Sequence, residues 1–292
     1  MSTALAQTQG SVAAVLPGST RAAALGGAGV ALVGDAGSLF ANPAGIATVR
    51  RLALEGSFER YVADVSYTAA AVAGRAGPFN WGFGAQALDY GSEAEIVPDP
   101  ATGGRRGIAT GGSFHPVDAL GVGTLVYRFR LLALGVSGKY ARQDFGSAAS
   151  DAWAADVGLA VAMFDIAAIG FAVQNLGGVL DGGAELPQRT RLGMTLNYTD
   201  PQGTLRLLTT LEGQWETERA AALALGLEGG VVTGGVGLVG RLGYVTPGAL
   251  SDASRWTVGA GLVLGGIAVD YAFRPWETLG AGTHRLGVRW RP

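Results

Sequence analysis

Hydrophobic and polar positions alternate with period two along most of the chain, most plainly near its end. From Trp256 onward, Val258, Ala260, Leu262 and Leu264 alternate with Thr257, Gly259, Gly261 and Val263. Past Gly265-Gly266, Ile267, Val269, Tyr271 and Phe273 alternate with Ala268, Asp270, Ala272 and Arg274. A third run sets Leu286, Val288 and Trp290 against Arg285, Gly287, Arg289 and Arg291. Period two is the mark of a strand with one apolar face. The opposite face carries glycine, alanine and charge, which suits a water-lined or filled lumen better than a solvent face. Aromatic residues near the strand ends match the girdles of membrane barrels. This stretch is predicted to be the closing edge of a transmembrane β-barrel.

The same pattern runs back through the chain. Leu52, Leu54, Gly56 and Phe58 oppose Ala53, Glu55, Ser57 and Glu59; Val65, Tyr67, Ala69 and Ala71 form a second apolar face. Phe79, Trp81, Phe83 and Ala85 form a third, opposite Asn80, Gly82, Gly84 and Gln86. A polar interval from Gly91 to about Asp118 follows, and its later part, Ile108 to Phe114, reads as an extension of the next strand. Further strands are predicted over Ala119–Phe129, Leu131–Arg142, Trp153–Met163, Ile169–Asn175, Arg191–Tyr198 and Thr204–Glu216. Leu223, Leu225 and Leu227 then oppose Glu228, and Leu238, Leu242 and Tyr244 oppose Arg241. The total is about fourteen, an even number within the range of outer-membrane barrels. Short breaks (Phe129-Arg130, 200–203, Gly234-Gly235, Gly265-Gly266) alternate with longer polar ones (91–118, 143–151, 177–188, 246–255, 275–283), as periplasmic turns alternate with outer loops. A soluble β-sandwich would also alternate along its strands, but it accounts for neither this rhythm nor the glycine-and-charge face.

Residues 7–50 do not alternate. Gly27-Ala28-Gly29, just after Gly26, invites a dinucleotide-loop reading, which needs a strand before, a helix after and a βαβ frame; none is apparent. Asp35 follows, and then Asn42-Pro43-Ala44-Gly45, whose asparagine before proline and terminal glycine are turn chemistry. With Leu39-Phe40 and Ile46 as apolar anchors, 7–50 is expected to be a plug packed in the mouth of a barrel formed by 51–292. Residues 1–6 end in Ala4-Leu5-Ala6, a small-x-small cleavage pattern, and read as a signal-peptide remnant with the mature end at Gln7.

Composition sharpens the class. Only 15% of residues are charged, Gly numbers 49 and mean hydropathy is +0.29, yet no apolar run approaches the ~18 residues of a spanning helix. High hydropathy without such a run favours a barrel. A net charge of -2 gives no reason to expect nucleic acid. With Cys 0, disulfides and thiolate metal sites are excluded.

The chemistry expected inside is ionic rather than catalytic. His115 and His284 are the only histidines, and no spacing sets metal or triad partners beside either; no enzyme activity, metal or cofactor is predicted. Lys139, Asp156, Glu212, Glu228, Arg241, Asp270, Arg285 and Arg289 fall on inward faces. There they read as an ion-pair network holding the plug, or as a polar track for a substrate headgroup. An arginine turned to lipid would cost about 2–4 kcal/mol at the bilayer midplane.

Several runs resemble the FadL-like outer-membrane barrels, closest to the branch holding the PorV and PorQ proteins of type IX secretion. The runs are Ala24-Leu25-Gly26-Gly27-Ala28-Gly29-Val30-Ala31, Asp35-Ala36, Asn42-Pro43-Ala44-Gly45-Ile46, Val173-Gln174-Asn175-Leu176-Gly177 with Glu185-Leu186-Pro187, Arg241-Leu242-Gly243-Tyr244, Val269-Asp270-Tyr271-Ala272-Phe273, Leu279-Gly280 and His284-Arg285-Leu286. The resemblance implies a barrel of about fourteen strands with an N-terminal plug. It further implies either passage of hydrophobic small molecules or service as a structural or partner-binding barrel of an envelope assembly. Expected partners are outer-membrane lipid, a hydrophobic ligand or a detergent in its place, and other envelope proteins. The chain is short for PorV itself, which counts against a cargo-shuttle role.

Overall fold

The computed structural model describes residues 10–61, 65–146, 148–163, 166–217, 219–246, 254–276 and 282–292. The signal-peptide reading of 1–6, Gln7 and the Leu279-Gly280 run lie outside them. The strands are β1 (Leu52–Arg60), β2 (Ser66–Ala76), β3 (Phe79–Asp89), β4 (Glu93–Pro98), β5 (Gly107–Phe114), β6 (Val117–Phe129), β7 (Leu132–Asp144) and β8 (Ala149–Met163). They continue with β9 (Ala167–Leu176), β10 (Arg189–Thr199), β11 (Leu205–Glu216), β12 (Ala222–Thr233), β13 (Val236–Val245), β14 (Trp256–Leu264), β15 (Ile267–Pro275) and β16 (Gly282–Trp290). All but β4 and β5 form one closed antiparallel barrel of fourteen strands in the order β1-β16-β15-β14-β13-β12-β11-β10-β9-β8-β7-β6-β3-β2. β1 seals it against β16, from Leu54 opposite Trp290 to Arg60 opposite His284.

Burial alternates strictly along most strands. Leu134 and Val136 on β7 and Leu286 and Val288 on β16 are exposed outward, while Ser137, Lys139, Arg285 and Arg289 are buried. The outward faces thus form an apolar wall and the inward faces a small-residue and charged lining.

Two expectations are corrected. Gly107–Phe114 does not extend the next barrel strand: β5 pairs with β4 as a separate two-stranded sheet, exposed along nearly its whole length. A hairpin buried on neither face carries no burial-driven alternation to read. On β2, the face of Tyr67, Ala69 and Ala71 points inward and is buried, not outward with the other apolar faces. Cross-strand partners share a face, and Leu54 and Phe58 of β1 pair with Val72 and Thr68. Both faces of this alanine-rich strand are apolar, so pattern alone could not orient it.

Residues 10–50 lie within the barrel as short turns: a 3-10 turn at Val12–Val15, helix α1 (Thr20–Ala24), and 3-10 turns at Ala36–Phe40 and Pro43–Thr48. Helix α1 touches β13–β16, the Ala36 turn touches β1–β3, and the Pro43 turn touches β3 and β6–β9. Leu25, Val30, Leu39, Ala44 and Ile46 are fully buried. Leu180 and Leu186, from the β9–β10 connection, are also buried, against Leu120, Ala141 and Ala152 on the lining of β6–β8. That loop therefore folds inward.

Candidate functional site: the lined interior and its cavity

The glycines of the lining admit the N-terminal segment. A Cβ on Gly158 would lie 2.1 Å from Asn42 Oδ1, one on Gly135 2.6 Å from the Ala44 nitrogen, and one on Gly243 2.1 Å from the Gly26 nitrogen. Asn42 is the hinge of this seat. Its Oδ1 accepts from Ala44 N at 2.9 Å, capping the Pro43 turn, while Nδ2 donates to Val30 O at 2.8 Å and to Leu159 O of the wall at 3.0 Å. Pro43 sits at the first position of its turn, where a missing N–H costs nothing. Gly45 donates to Asn42 O and accepts from Gly34 N, closing the loop on itself. Gly26 and Gly27 both adopt positive φ, where L side chains are strained.

Opposite this seat, six charged groups close a ring. Arg21 Nη2 lies 2.7 Å from Glu228 Oε1, and Glu228 Oε2 lies 2.7 Å from Arg241 Nε. Arg241 Nη1 lies 2.7 Å from Asp270 Oδ1, and Asp270 Oδ2 lies 2.6 Å from Arg289 Nε. Arg289 Nη1 reaches Asp35 Oδ1 at 2.8 Å, and Asp35 Oδ2 returns to Arg21 Nη1 at 3.0 Å. Signs alternate around the ring, so it is formally neutral, and it joins the segment to β12, β13, β15 and β16. Burial alone would raise the Asp35 carboxyl, but Arg289, Arg21 and Arg291 outweigh it and hold the group well below the usual carboxylate range. A buried charge is tolerable only when so compensated.

Smaller nodes fix the rest. Glu212 accepts from the amides of Gly29 and Val30 at 2.7 and 2.8 Å and from Arg191 Nε at 2.6 Å, while Arg191 Nη2 donates to Gly27 O at 2.8 Å. Lys139 Nζ lies 2.7 Å from Asp156 Oδ2 and donates to Asn175 Oδ1 at 2.8 Å. The β8–β9 register slips there, between Ala155 and Val157, and Asn175 takes φ 60. This bulge turns Gln174 and Asn175 inward together; Gln174 Nε2 then reaches Phe40 O at 2.8 Å and Asn175 Nδ2 reaches Pro187 O at 2.8 Å. Arg285 pairs with Glu59, Nε to Oε2 at 2.6 Å, and covers the Tyr67 ring at 4.7 Å.

Every inward charge expected from the sequence is therefore placed on the lining. The alternation did not single out Arg21, Arg191, Glu59 or the Gln174–Asn175 bulge as part of the network. Arg21 lies in the non-alternating segment, 207 residues from Glu228, so no local pattern could join them.

Between the segment and the loop end of the strands lies a cavity of about 450 Å³, within the usual span of small-molecule pockets. Leu16, Val65, Leu88, Phe273 and Trp276 give it apolar walls, and Arg274 stands among them. Arg274 Nε and Trp276 Nε1 are buried without a hydrogen-bond partner among the described residues. On the outward side of the wall, an apolar hollow of about 650 Å³ is lined by Leu225, Leu242, Tyr244 and Trp256.

The histidines lie elsewhere. His115 Nε2 is 2.9 Å from Asp89 Oδ1 and Nδ1 is 3.3 Å from Ser92 Oγ, a serine–histidine–aspartate order the sequence did not reveal. It is exposed, and neither Ser92 nor His115 lines the cavity. His284 Nδ1 contacts the Tyr271 hydroxyl at 2.8 Å. Among the described residues, no group of three or more His, Cys, Asp or Glu is placed to hold a metal.

No protein-family model matches the sequence, and no curated protein is significantly similar to it. Solved structures do share its fold. The Pseudomonas putida toluene transporter TodX aligns with TM-score 0.60 at 11% identity over 93% of this chain and 97% of its own. The Ralstonia pickettii toluene transporter TbuX gives 0.57 at 14%, over 93% and 97%. A Pseudomonas aeruginosa FadL homologue gives 0.57 at 12%, over 93% and 98%. The likeness spans almost the full length of both partners, and it shows a fold shared with these three barrels.

Proposed function

We propose that the chain is a bacterial outer-membrane barrel that passes hydrophobic small molecules, with residues 7–50 as its plug and 51–292 as its wall. The observation that carries this is the cavity of about 450 Å³, walled in larger part by apolar surface and set directly on the segment that fills the barrel. The outward apolar wall supports the membrane placement, since a soluble barrel would expose those leucines to water. The fold shared with barrels described as toluene transporters supports the substrate class. In this reading the glycine seat and the ionic ring hold the plug, and a ligand rests above it among Leu16, Leu88, Phe273 and Trp276. Expected partners are outer-membrane lipid and an apolar ligand or a detergent standing in for it.

A second reading, a PorV/PorQ-like structural or partner-binding barrel of an envelope assembly, is favoured by one feature. The β4–β5 hairpin projects with Ile96 65% exposed. The two readings separate in one experiment. Uptake of labelled toluene by cells producing the protein should exceed that of cells with an empty vector, and Ala272→Phe, which fills the cavity, should abolish the gain. Equal uptake in the two cell types would contradict the transport reading and favour the assembly one.

A further inference from the structure

Four arginines stand side by side on the lumen face of the barrel's short-turn end. Arg51 continues the inward row of Ala53 and Glu55 on β1, and Arg75 that of Ala71 and Ala73 on β2. Arg128 continues the row of Thr124 and Val126 on β6, and Arg291 that of Arg285 and Arg289 on β16. Arg75 N donates to Arg51 O at 3.2 Å, one step beyond the Leu52–Gly74 pair, so the two arginines are direct cross-strand partners. Arg75 also faces Asn80 of β3, and Asn80 pairs with Val126, two residues before Arg128. With Leu54 opposite Trp290, Arg291 falls opposite Ala53 and diagonal to Arg51. The row thus crosses five consecutive strands, β16-β1-β2-β3-β6. Across the mouth, the inward positions of β12 to β15 at this level, Val232, Gly237, Val263 and Ala268, are uncharged.

Like charges set directly opposite each other across a sheet are destabilising, and the ionic ring deeper in the lumen avoids this by alternating its signs. The row at the rim has no such compensation. Among the described residues, the one carboxylate in contact with it is Asp35, 3.6 Å from Arg291 and already bound by Arg21 and Arg289. All four arginines are exposed. Arg75 Nε and Arg128 Nε donate to the carbonyls of Gly77 and Arg130, which holds both forks at the rim and leaves their terminal nitrogens without a carboxylate. Asn80 Nδ2 donates to Val49 O at 2.7 Å, so the interior segment leaves the lumen in the middle of the row. Facing inward, the forks are turned away from the lipid side of the wall. Size then selects the missing counter-charge. Neighbouring strands lie about 4.8 Å apart, so five span roughly 19 Å, more than one small anion covers. An extended peptide advances about 3.3 Å per residue, so about six residues follow the whole row. Side-chain carboxylates along it accept the paired N–H groups of each guanidinium.

We propose that this row is a docking surface for an acidic, extended segment of a partner protein, laid across the short-turn mouth against the end of the interior segment. Which side of a membrane the mouth faces rests on the membrane-barrel reading above; the binding does not. It is tested with the full chain in neutral detergent, by fluorescence anisotropy of a labelled hexaglutamate peptide. Hexaglutamate should bind at low salt and be released at high salt, and hexalysine should not bind. The variant R51Q/R75Q/R128Q should weaken binding ~10-fold or more. R105Q/R106Q, at the tip of the β4–β5 hairpin, should leave it unchanged. No binding to the wild type, an affinity that survives the triple change, or an equal loss in R105Q/R106Q overturns the proposal. Displacement of the peptide by inorganic phosphate at equal concentration would show a single-anion site and overturns it as well. If the triple variant loses heat-modifiable migration, R75Q alone decides: weaker binding supports the row, and unchanged binding overturns it. A chain that stays monodisperse without detergent contradicts the membrane reading, whatever the peptide does, so the two failures are distinct.

Discussion

The segment inside the barrel is held by two unlike surfaces. Toward β12–β16 an ionic ring adds to the close approach of Gly26 to Gly243: Arg21 and Asp35 complete it with Glu228, Arg241, Asp270 and Arg289. Toward β1–β3 and β6–β8 the contacts are apolar and steric, with Leu39, Phe40 and Ile46 packed on Ala53, Tyr67, Ala73 and Val126 and Asn42-Pro43 pressed onto Gly135 and Gly158. The ionic side is specific in direction but costly to desolvate, so it tolerates no missing member. The apolar side gains from every buried carbon and is limited by volume. One half of the interior therefore fixes where the segment sits, and the other supplies most of the favourable burial.

That contrast predicts a ranking of effects. Asp270→Ala should be the most damaging, because Asp270 joins Arg241 and Arg289 and its loss leaves each of these buried arginines with a single carboxylate, Glu228 and Asp35 respectively. Destabilisation of at least the ~3–5 kcal/mol typical of one broken buried pair is expected in reversible unfolding. Arg241→Met added to it should restore only part, since Arg289 stays uncompensated on that side; full recovery would mean the ring acts as separate pairs. Ile46→Ala, on the apolar side, should cost about 2–5 kcal/mol and should be additive with Asp270→Ala, the two sharing no contact. Strong coupling between them would show the two surfaces to be one cooperative unit.

The ring also sets a pH response. Asp35 is held below the ordinary carboxylate range, so its contribution is complete above the unfolded aspartate pKa of about 3.9. It is lost only as pH falls from there through the depressed folded value. The stability difference between wild type and Asp35→Asn should shrink as pH falls below about 4. A difference that persists undiminished to about pH 2 in reversible unfolding would contradict this role of the carboxylate. The smallest effect is expected at Arg142 and Asp151, a 3.4 Å pair with both side chains more than a third exposed. Removing it should cost about 0–1 kcal/mol.

The barrel was legible in the sequence because burial enforces the pattern: outward leucines alternate with inward glycines and charges on strand after strand. Legibility failed where that enforcement stopped. β2 carries alanine on both faces, and β5 is buried on neither. The inward charges could be placed on the lining one by one, but not their closure into a ring, which depends on Arg21 in a segment with no periodicity and on partners more than 200 residues away. The lining glycines were a clear compositional signal without a readable cause, since what each makes room for is a backbone distant in sequence.

The central claim is that residues 10–50 are seated inside the assembled barrel. The chain has Cys 0, so single cysteines report cleanly. Ala44 is fully buried against the wall, whereas Ile96 is 65% exposed. In folded, heat-modifiable protein, Ala44→Cys should resist a membrane-impermeant maleimide while Ile96→Cys reacts fully, and Ala44→Cys should become reactive on unfolding. Labelling of Ala44→Cys at the rate of Ile96→Cys in the folded state would contradict the account.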